Sequence, residues 1–453
     1  MEVTLPQMLF ARERRAGEQQ ALLRQYNLPL ISFTMNIAGP EKDTPLIRRG
    51  FQEGCCMLKE ALKREKMPVV HQQIRQEVTG CEAFYVVQGN SERIKSLCAK
   101  VEDSCRLGRL FDMDVLSPQG EQLRRQTVGR QERGCIVCGA PGRGCASRRV
   151  HSVQELQQAT RSILTEYFQQ RDAQKIGTLA LRSLLDEVCT TPKPGLVDRE
   201  NSGSHRDMDI FTFTASASAL APYFLQCAAI GQDTRTQPPE HTFQALRAAG
   251  IQAEQSMFAA TGGINTHKGA IFTLGTVCGA VGRLWTPELP CRDLKKILEV
   301  CAQMTKEAVE QDFSAMRASG QGVTVGQRLY LEHGLTGIRG EVAAGLPSVE
   351  KVGLPAFCKA LARGNSRNDA AAIALLHLIG AVTDTNMIAR GGMKLAREAM
   401  EQVKNLLKQN PMPKPEQIRQ LDRAFVQKNL SPGGCADLLA VTLFLHDWCS
   451  QEA

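Results

Sequence analysis

Aromatic residues are scarce: Phe, Trp and Tyr make up 5% of the 453 residues, and only two are Trp. So few rings argue against a surface built to stack nucleic-acid bases. No long uninterrupted apolar run is present, so no segment reads as membrane-spanning. The stretch Met1 to Phe10 contains Glu2 and Pro6 and lacks the basic-then-apolar order of a secretion signal. The Gly-x4-Gly-Lys-Ser/Thr order of a P-loop is also missing. These absences lead us to expect a cytoplasmic protein with neither membrane nor nucleic acid as a partner.

Cysteine, by contrast, is plentiful at 16 residues. Disulfide scaffolds are small, however, and this chain is long enough for two domains or more. Cys189, Cys227, Cys278 and Cys301 fall on apolar helical faces, where cysteine acts as a small hydrophobe. The formal net charge of +8 suits anionic partners such as nucleotides, phosphorylated cofactors or an acidic protein.

The patterning changes once along the chain. Helical spacing at about 6–26, 44–66 and 91–105 alternates with strand-like runs at 30–37, 69–78, 82–88 and 108–115. Residues 122–128 offer a hairpin partner for the last of these. A helix from Val153 to about Gln170 then leads to a polar joint, Gln169 to Lys175. Beyond it only helical patterns recur, nine of them between Ile176 and Trp448. The expected architecture is therefore an α/β domain over 1–174, with a mixed sheet, and an all-α domain over 175–453.

Several groups of residues bear on chemistry. In Gly108-Arg109-Leu110-Phe111-Asp112-Met113-Asp114-Val115, strand alternation puts Asp112 and Asp114 on one face. Two neighbouring carboxylates repel unless a cation lies between them, and magnesium on a polyphosphate is the usual solution. Two solvated acids at a strand end are the plain alternative. Lys42, in the turn Gly39-Pro40-Glu41-Lys42-Asp43, and Arg109 are candidate phosphate contacts.

Cys135, Cys138, Cys145 and His151 lie in a Gly-rich tract with Arg130, Arg133, Arg143, Arg148 and Arg149. Thiols at such spacing can bind zinc. The spacing is not a standard zinc-finger form, so the tract is read as reduced and metal-free, with structural zinc as the alternative.

The stretch from Thr190 to Asp209 is stiffened by Pro192 and Pro194, and it interleaves Lys193, Arg199, His205 and Arg206 with Asp198, Glu200, Asp207 and Asp209. That mixture suits a polyphosphate with its magnesium, the acids being metal ligands or catalytic carboxylates; a self-paired charged loop is the alternative. Gly-rich or polar helix entries recur at Thr261 to Gly269 (with His267 and Lys268), at Asn368-Asp369, at Asn386, Arg390, Gly391 and Gly392 after Asp384 and ahead of a helix from Met393, and at Ser431 to Asp437. Exposed amides there can receive phosphate. His377 and His446, on apolar faces, read as packed.

The motifs from Thr191 to Asp209, Gly262 to Gly269, Asn368-Asp369 and Ser431 to Gly434 resemble the triphosphoribosyl-dephospho-coenzyme A synthase family. The first half, through Ser32 to Thr34, Gly39 to Asp43, Gly108 to Val115 and Cys135 to Ser152, resembles the citrate lyase holo-acyl-carrier-protein synthase. The order looks like a fusion of the two. This resemblance implies a nucleotidyltransferase-like first domain and two reactions. The second domain would join the ribosyl carbon of ATP to a ribose hydroxyl of dephospho-coenzyme A, releasing adenine. The first would transfer the product to a serine of the citrate lyase acyl carrier protein (its gamma subunit), releasing pyrophosphate. A role in malonate decarboxylase cofactor synthesis, or as a non-catalytic carrier of the finished group, remains open at this point.

Overall fold

A computed structural model describes residues 2–140, 145, 148–319 and 324–450; Arg143 of the basic tract lies outside them. Contacts divide the chain into two compact units, the first 1–169 with 287–289, the second 170–286 with 290–453.

The first unit opens with helix α1 (Leu5–Tyr26) and strand β1 (Leu30–Met35). Helix α2 (Pro45–Arg64) follows, with Pro45 in its first turn and Thr44 Oγ1 accepting the Ile47 amide. Strands β2 (Val69–Glu77) and β3 (Gly80–Val87), helix α3 (Ser91–Asp103), strand β4 (Phe111–Leu116) and the short β5 (Gln122–Leu123) complete it. The sheet order is β2-β3-β1-β4-β5, and every ladder is antiparallel. The expected mixed sheet is thus corrected. Parallel neighbours need a crossover, and here each added strand runs opposite to its neighbour. The predicted strand at 108–115 begins late, because Leu107–Leu110 forms a 3-10 turn, and the hairpin partner shrinks to two residues.

β4 alternates as its sequence requires, with Phe111, Met113 and Val115 fully buried. Opposed residues share a face, so Glu82, Thr34 and Asp112 form one row across β3, β1 and β4. α1 covers that polar face: Gln19 Nε2 donates to Ser32 Oγ at 2.9 Å, and Arg15 Nε lies 3.2 Å from Glu82. On the other face Phe33 stacks on Phe51 of α2 at 4.9 Å.

The polar joint expected at Gln169–Lys175 is helical. One helix, α4, runs from Val153 to Cys189. Asp172, Ala173 and Ile176 are buried there, and Asp172 accepts the indole N–H of Trp285 at 2.6 Å. Gln170, Arg171, Gln174 and Lys175 are the helix's outer side, and length of polar sequence misled where periodicity would not.

The second unit continues with α5 (Ile210–Asp233), α6 (Pro239–Ala260), α7 (Lys268–Arg283), α8 (Leu294–Ser319), α9 (Val325–His333), α10 (Gly337–Ala343), α11 (Leu354–Ala362), α12 (Arg367–Ala381), α13 (Thr385–Gln409), α14 (Pro415–Gln427) and α15 (Gly433–Cys449). α9 to α11 were not foreseen; each is nine residues or fewer, too short for a clear period. α5 has the length and apolarity to cross a bilayer, but its Leu220, Phe224, Cys227 and Ala228 pack in the same core as α7. The two helices approach backbone to backbone: a Cβ on Gly282 would fall 2.1 Å from the Ala228 carbonyl. That contact holds the end of α7 against α5, and the opposite end, the start of α7, is the edge of a cavity.

Candidate active sites

A cavity of about 710 Å³ opens in the second unit, within the size range of small-molecule sites. Three helix starts reach it, those of α7, α13 and α15, so three of the four polar entries foreseen from the sequence come together, although α13 already begins at Thr385 and is broken at Gly392, just before the start expected at Met393. The fourth does not. Asn368 accepts the Thr191 amide at 3.0 Å and donates to the Thr191 carbonyl at 2.6 Å, while Asp369 accepts from Ser366.

At α7 no side chain caps the helix from His267. The imidazole is buried, with Nδ1 2.7 Å from Ser216 Oγ. Thr266 Oγ1 donates to that same hydroxyl at 2.7 Å, which leaves the Ser216 proton for Nδ1. His267 therefore carries its own proton on Nε2, a buried donor lining the cavity with no hydrogen-bond partner among the described residues. Burial, with the nearby Lys193 charge, holds its pKa down to about 3, so it is neutral in any ordinary buffer.

This depressed value has a measurable consequence. Between pH 6.5 and 3 the unfolded chain binds a proton that the folded chain refuses, so His267 costs stability as pH falls through that window. From pH 6 to 4 the wild type should lose about 1.4 kcal/mol per pH unit relative to His267→Gln. The neighbouring acids are common to both proteins and cancel. Both tryptophans, Trp285 and Trp448, are in this unit, so urea unfolding followed by indole fluorescence reads it directly. Parallel pH profiles for the two proteins would refute a neutral buried imidazole.

Carboxylates at the cavity are not those foreseen. Glu187, Glu254 and Asp437 line it; Asp198, Glu200, Asp207 and Asp209 do not. Asp198 is buried and accepts the amides of Lys193, Glu200 and Asn201 at 2.7–3.0 Å, so it organises the 190–209 loop from inside. Asp209 caps α5 through the Thr212 amide at 2.9 Å. Asp207 is exposed, as is Arg206, and neither faces the cavity. Glu200 pairs at the surface with Arg419, 2.7 Å away. Such an exposed, solvent-screened pair contributes little to stability. Glu200→Gln should accordingly shift the urea midpoint little and leave turnover intact; a large loss of turnover would restore it to the site.

The basic residues divide similarly. Arg199 is tied to Asn368 and Thr191 outside the cavity. Lys193 does line the cavity but is 1% exposed, its ammonium 2.5 Å from the Glu187 carboxylate and 2.8 Å from the Glu187 carbonyl. It neutralises a buried acid and is not a free phosphate ligand. Lys268 is exposed and pairs with Glu254 at 2.7 Å. Arg390 donates to the Ser204 carbonyl at 2.7 Å and to His205 Nδ1 at 2.9 Å. Since Arg only donates, His205 is neutral with its proton on Nε2, facing Ser431 Oγ at 2.9 Å. Burial and the Arg390 charge push its pKa down to about 4.

Asp437 is the residue that sequence reasoning underused. It faces the cavity from the second turn of α15, and a Cβ on Gly269 would fall 1.8 Å from its Oδ2. Only glycine permits that approach. Its backing is apolar and acidic: burial, then the Glu187 and Asp384 carboxylates, raise its pKa well above the usual range. Glu187 is raised too, by burial, with Lys193 opposing.

The first unit has its own cavity, of about 420 Å³, lined by Asp112, Glu82, Lys42, Arg12 and Arg15 among others. Asp112 and Lys42 were foreseen; Arg12, Arg15 and Glu82 were hidden in the charge pattern of α1 and in a strand read only for its apolar residues. Burial and then the Asp114 charge raise the Asp112 pKa, with Arg133 opposing. Asp114 lies two residues along, opposite Ser32, and is outside the lining. Arg109 is also outside, donating to the Gly134 carbonyl.

Comparisons with known proteins match both halves. The family model CitX, apo-citrate lyase phosphoribosyl-dephospho-CoA transferase, matches residues 3–167. CitG, ATP:dephospho-CoA triphosphoribosyl transferase, matches 173–452. Protein CitXG of Haemophilus influenzae is 33% identical over 456 residues, covering 98% of this chain and 96% of that protein. Protein CitXG of Leuconostoc mesenteroides subsp. cremoris is 32% identical, covering 98% and 97%. A probable 2-(5''-triphosphoribosyl)-3'-dephosphocoenzyme-A synthase of Vibrio cholerae is 42% identical over 275 residues, 60% of this chain and 87% of that protein. With both models matched in this order and full-length relatives sharing it, the chain belongs to the CitXG family of bifunctional transferases that build and attach the citrate lyase prosthetic group.

Proposed function

We propose that the two reactions run in the two cavities, triphosphoribosyl transfer in the second unit and carrier-protein loading in the first. The observation that carries this reading is the meeting of three helix starts around the buried, unpartnered Nε2–H of His267. Helix starts and a neutral donor suit the triphosphate of ATP. Lys268, Arg339 and Arg390 line the same cavity and supply positive charge.

In that site the leaving adenine needs a proton and the ribosyl carbon gains positive charge. Burial and the Glu187 and Asp384 carboxylates raise the pKa of Asp437 and so favour its protonated form, which fits the acid that protonates adenine. Glu187, held ionic by Lys193, fits the carboxylate that stabilises the ribosyl cation. The acceptor hydroxyl of dephospho-coenzyme A then closes the new C–O bond and loses its proton to water, from which Asp437 is protonated again.

In the first unit Asp112 and Asp114 would hold a magnesium ion, and the raised pKa of Asp112, set by burial and by Asp114, is the strain that a cation relieves. Magnesium there would neutralise the pyrophosphate as it leaves. Arg12, Arg15 and Lys42 bind and orient the phosphates. This is nucleotidyltransferase-type chemistry on an antiparallel sheet, and α1 excludes water from one side.

The test is His267→Ala. Loss of one donor to a charged phosphate is worth about 1.5–3 kcal/mol, so KM for ATP should rise roughly 10- to 100-fold. KM for dephospho-coenzyme A should not move. Unaltered KM for ATP in a folded variant would remove the triphosphate from this cavity.

A further inference from the structure

We propose that Cys135, Cys138, Cys145 and His151 form a structural zinc site that fixes Arg133 against Asp112. One ligand atom from each residue lies within 4.8 Å of all the others. Cys138 Sγ is 3.5 Å from Cys145 Sγ and 3.2 Å from His151 Nε2. Zn–S bonds of about 2.3 Å and Zn–N bonds of about 2.0–2.1 Å in a tetrahedron leave ligand atoms roughly 3.5–3.8 Å apart, so these two pairs are already close to that spacing and the remaining ones, within 4.8 Å, need shift only slightly.

The backbone is already shaped for sulfur ligation. A tight turn holds Cys135, whose amide donates to the Ala140 carbonyl at 2.6 Å and whose carbonyl accepts the Gly139 amide at 2.9 Å. The Val137 amide donates to Cys135 Sγ at 3.4 Å, as an amide does to a thiolate that a metal holds.

Packing does not account for this cluster. Cys98, Cys227, Cys278 and Cys301 are fully buried and serve as small hydrophobes, whereas Cys138 is exposed and its three companions are half-buried. Three thiols and an imidazole converging at a surface are a donor set, and its softness selects zinc over the hard cations. Zinc with three thiolates carries a net negative charge, and Arg130, Arg133, Arg148 and Arg149 supply compensating charge in the same tract. Four protein ligands fill the tetrahedron, leaving no open position, so the ion is structural.

Its position explains what it would do. Arg133, two residues before Cys135, donates to the Phe111 carbonyl at 2.6 Å, and its other terminal nitrogen lies 3.7 Å from Asp112. The next carbonyl, that of Gly134, accepts from Arg109. The tract between β5 and α4 is thereby fastened to the start of β4, where Asp112 projects. Zinc thus holds one more counter-charge, besides Arg12, Arg15 and Lys42 of the cavity, beside a carboxylate that Asp114 repels. This second part rests on the reading of Asp112 above; zinc binding itself does not.

The experiment uses the full chain, purified under reducing conditions without chelator, with metal measured by atomic emission. About one zinc per chain is expected. Cys138→Ser and Cys145→Ser should lose it, Cys358→Ser should keep it, and His151→Cys, with four soft donors, should keep it where His151→Ala does not. Cobalt offered to the metal-free protein should give the absorption of a tetrahedral thiolate complex. Zinc-free variants should load carrier protein at least about 10-fold more slowly, with adenine release as the folding control. A wild type with no zinc, a Cys138–Cys145 disulfide in its place, or zinc retained by Cys138→Ser and Cys145→Ser would each overturn the site. Zinc loss with carrier loading at the wild-type rate would overturn its hold on Arg133 alone. If zinc behaves as expected while Asp112 proves dispensable, the metal site stands and the catalytic reading of the first cavity falls.

Discussion

Asp112→Asn should lower carrier-protein loading by at least about 100-fold, while adenine release stays at the wild-type rate. Asparagine keeps the size and removes the charge, so the β4 register and the buried Phe111, Met113 and Val115 should survive. Asp114→Asn should cost less, because Asp114 lies opposite Ser32 and outside the cavity lining. Magnesium dependence gives a second readout: the concentration for half-maximal loading should rise in both variants, and further in Asp112→Asn. Adenine is followed by chromatography and the loaded carrier by its mass. Equal loading by wild type and Asp112→Asn would move the first unit's chemistry elsewhere. Loss of both activities together would mean that the two reactions share one site.

Asp437→Asn should have the mirror-image effect. Removing a general acid costs typically 10²- to 10⁴-fold, so adenine release should fall by at least about 100-fold. Loading from triphosphoribosyl-dephospho-coenzyme A supplied ready-made should be unaffected. The pH profile separates an acid from a structural residue. Asp437 acts in its protonated form, so wild-type adenine release should decline as pH rises through its raised pKa, and that limb should vanish in Asp437→Asn. Gly269→Ala offers an approach through geometry, since its Cβ must displace the Asp437 carboxylate that now lies where the methyl would be. If Gly269→Ala folds and turns over normally, the position of Asp437 does not matter and the acid is another group.

The two candidate sites differ in how far the linear chain reveals them. β4 could be read because period 2 is local: Asp112 and Asp114 share a face whatever else the chain does. Arg12, Arg15 and Glu82 could not, since they join Asp112 only through the packing of α1 on the sheet and the pairing of β3 with β1. The loop from Thr190 to Asp209 misled for a related reason. Its charges looked available, but Asp198 and Asp209 satisfy backbone amides, and Glu200 finds Arg419 more than two hundred residues away. A carboxylate's role depends on its nearest donor, and for these acids that donor was either a turn in the same loop or a distant helix.

By itself the sequence determined the two-part architecture, the helices and most strands, and the family, because periodicity, caps and long motifs are local properties. It also supplied the Gly-rich helix starts at Thr261 to Gly269 and Ser431 to Asp437. Only the tertiary structure decided that these two meet the start of α13 at one cavity, that Lys193 neutralises Glu187, and that Asp437 is raised while Asp198 is consumed. It likewise decided that the tract at Gln169–Lys175 is a helix and that all ladders of the sheet are antiparallel. The physical reason is common to these cases. Burial, counter-charge and strand direction are set by what packs alongside, and the neighbours come from parts of the chain that no local pattern relates.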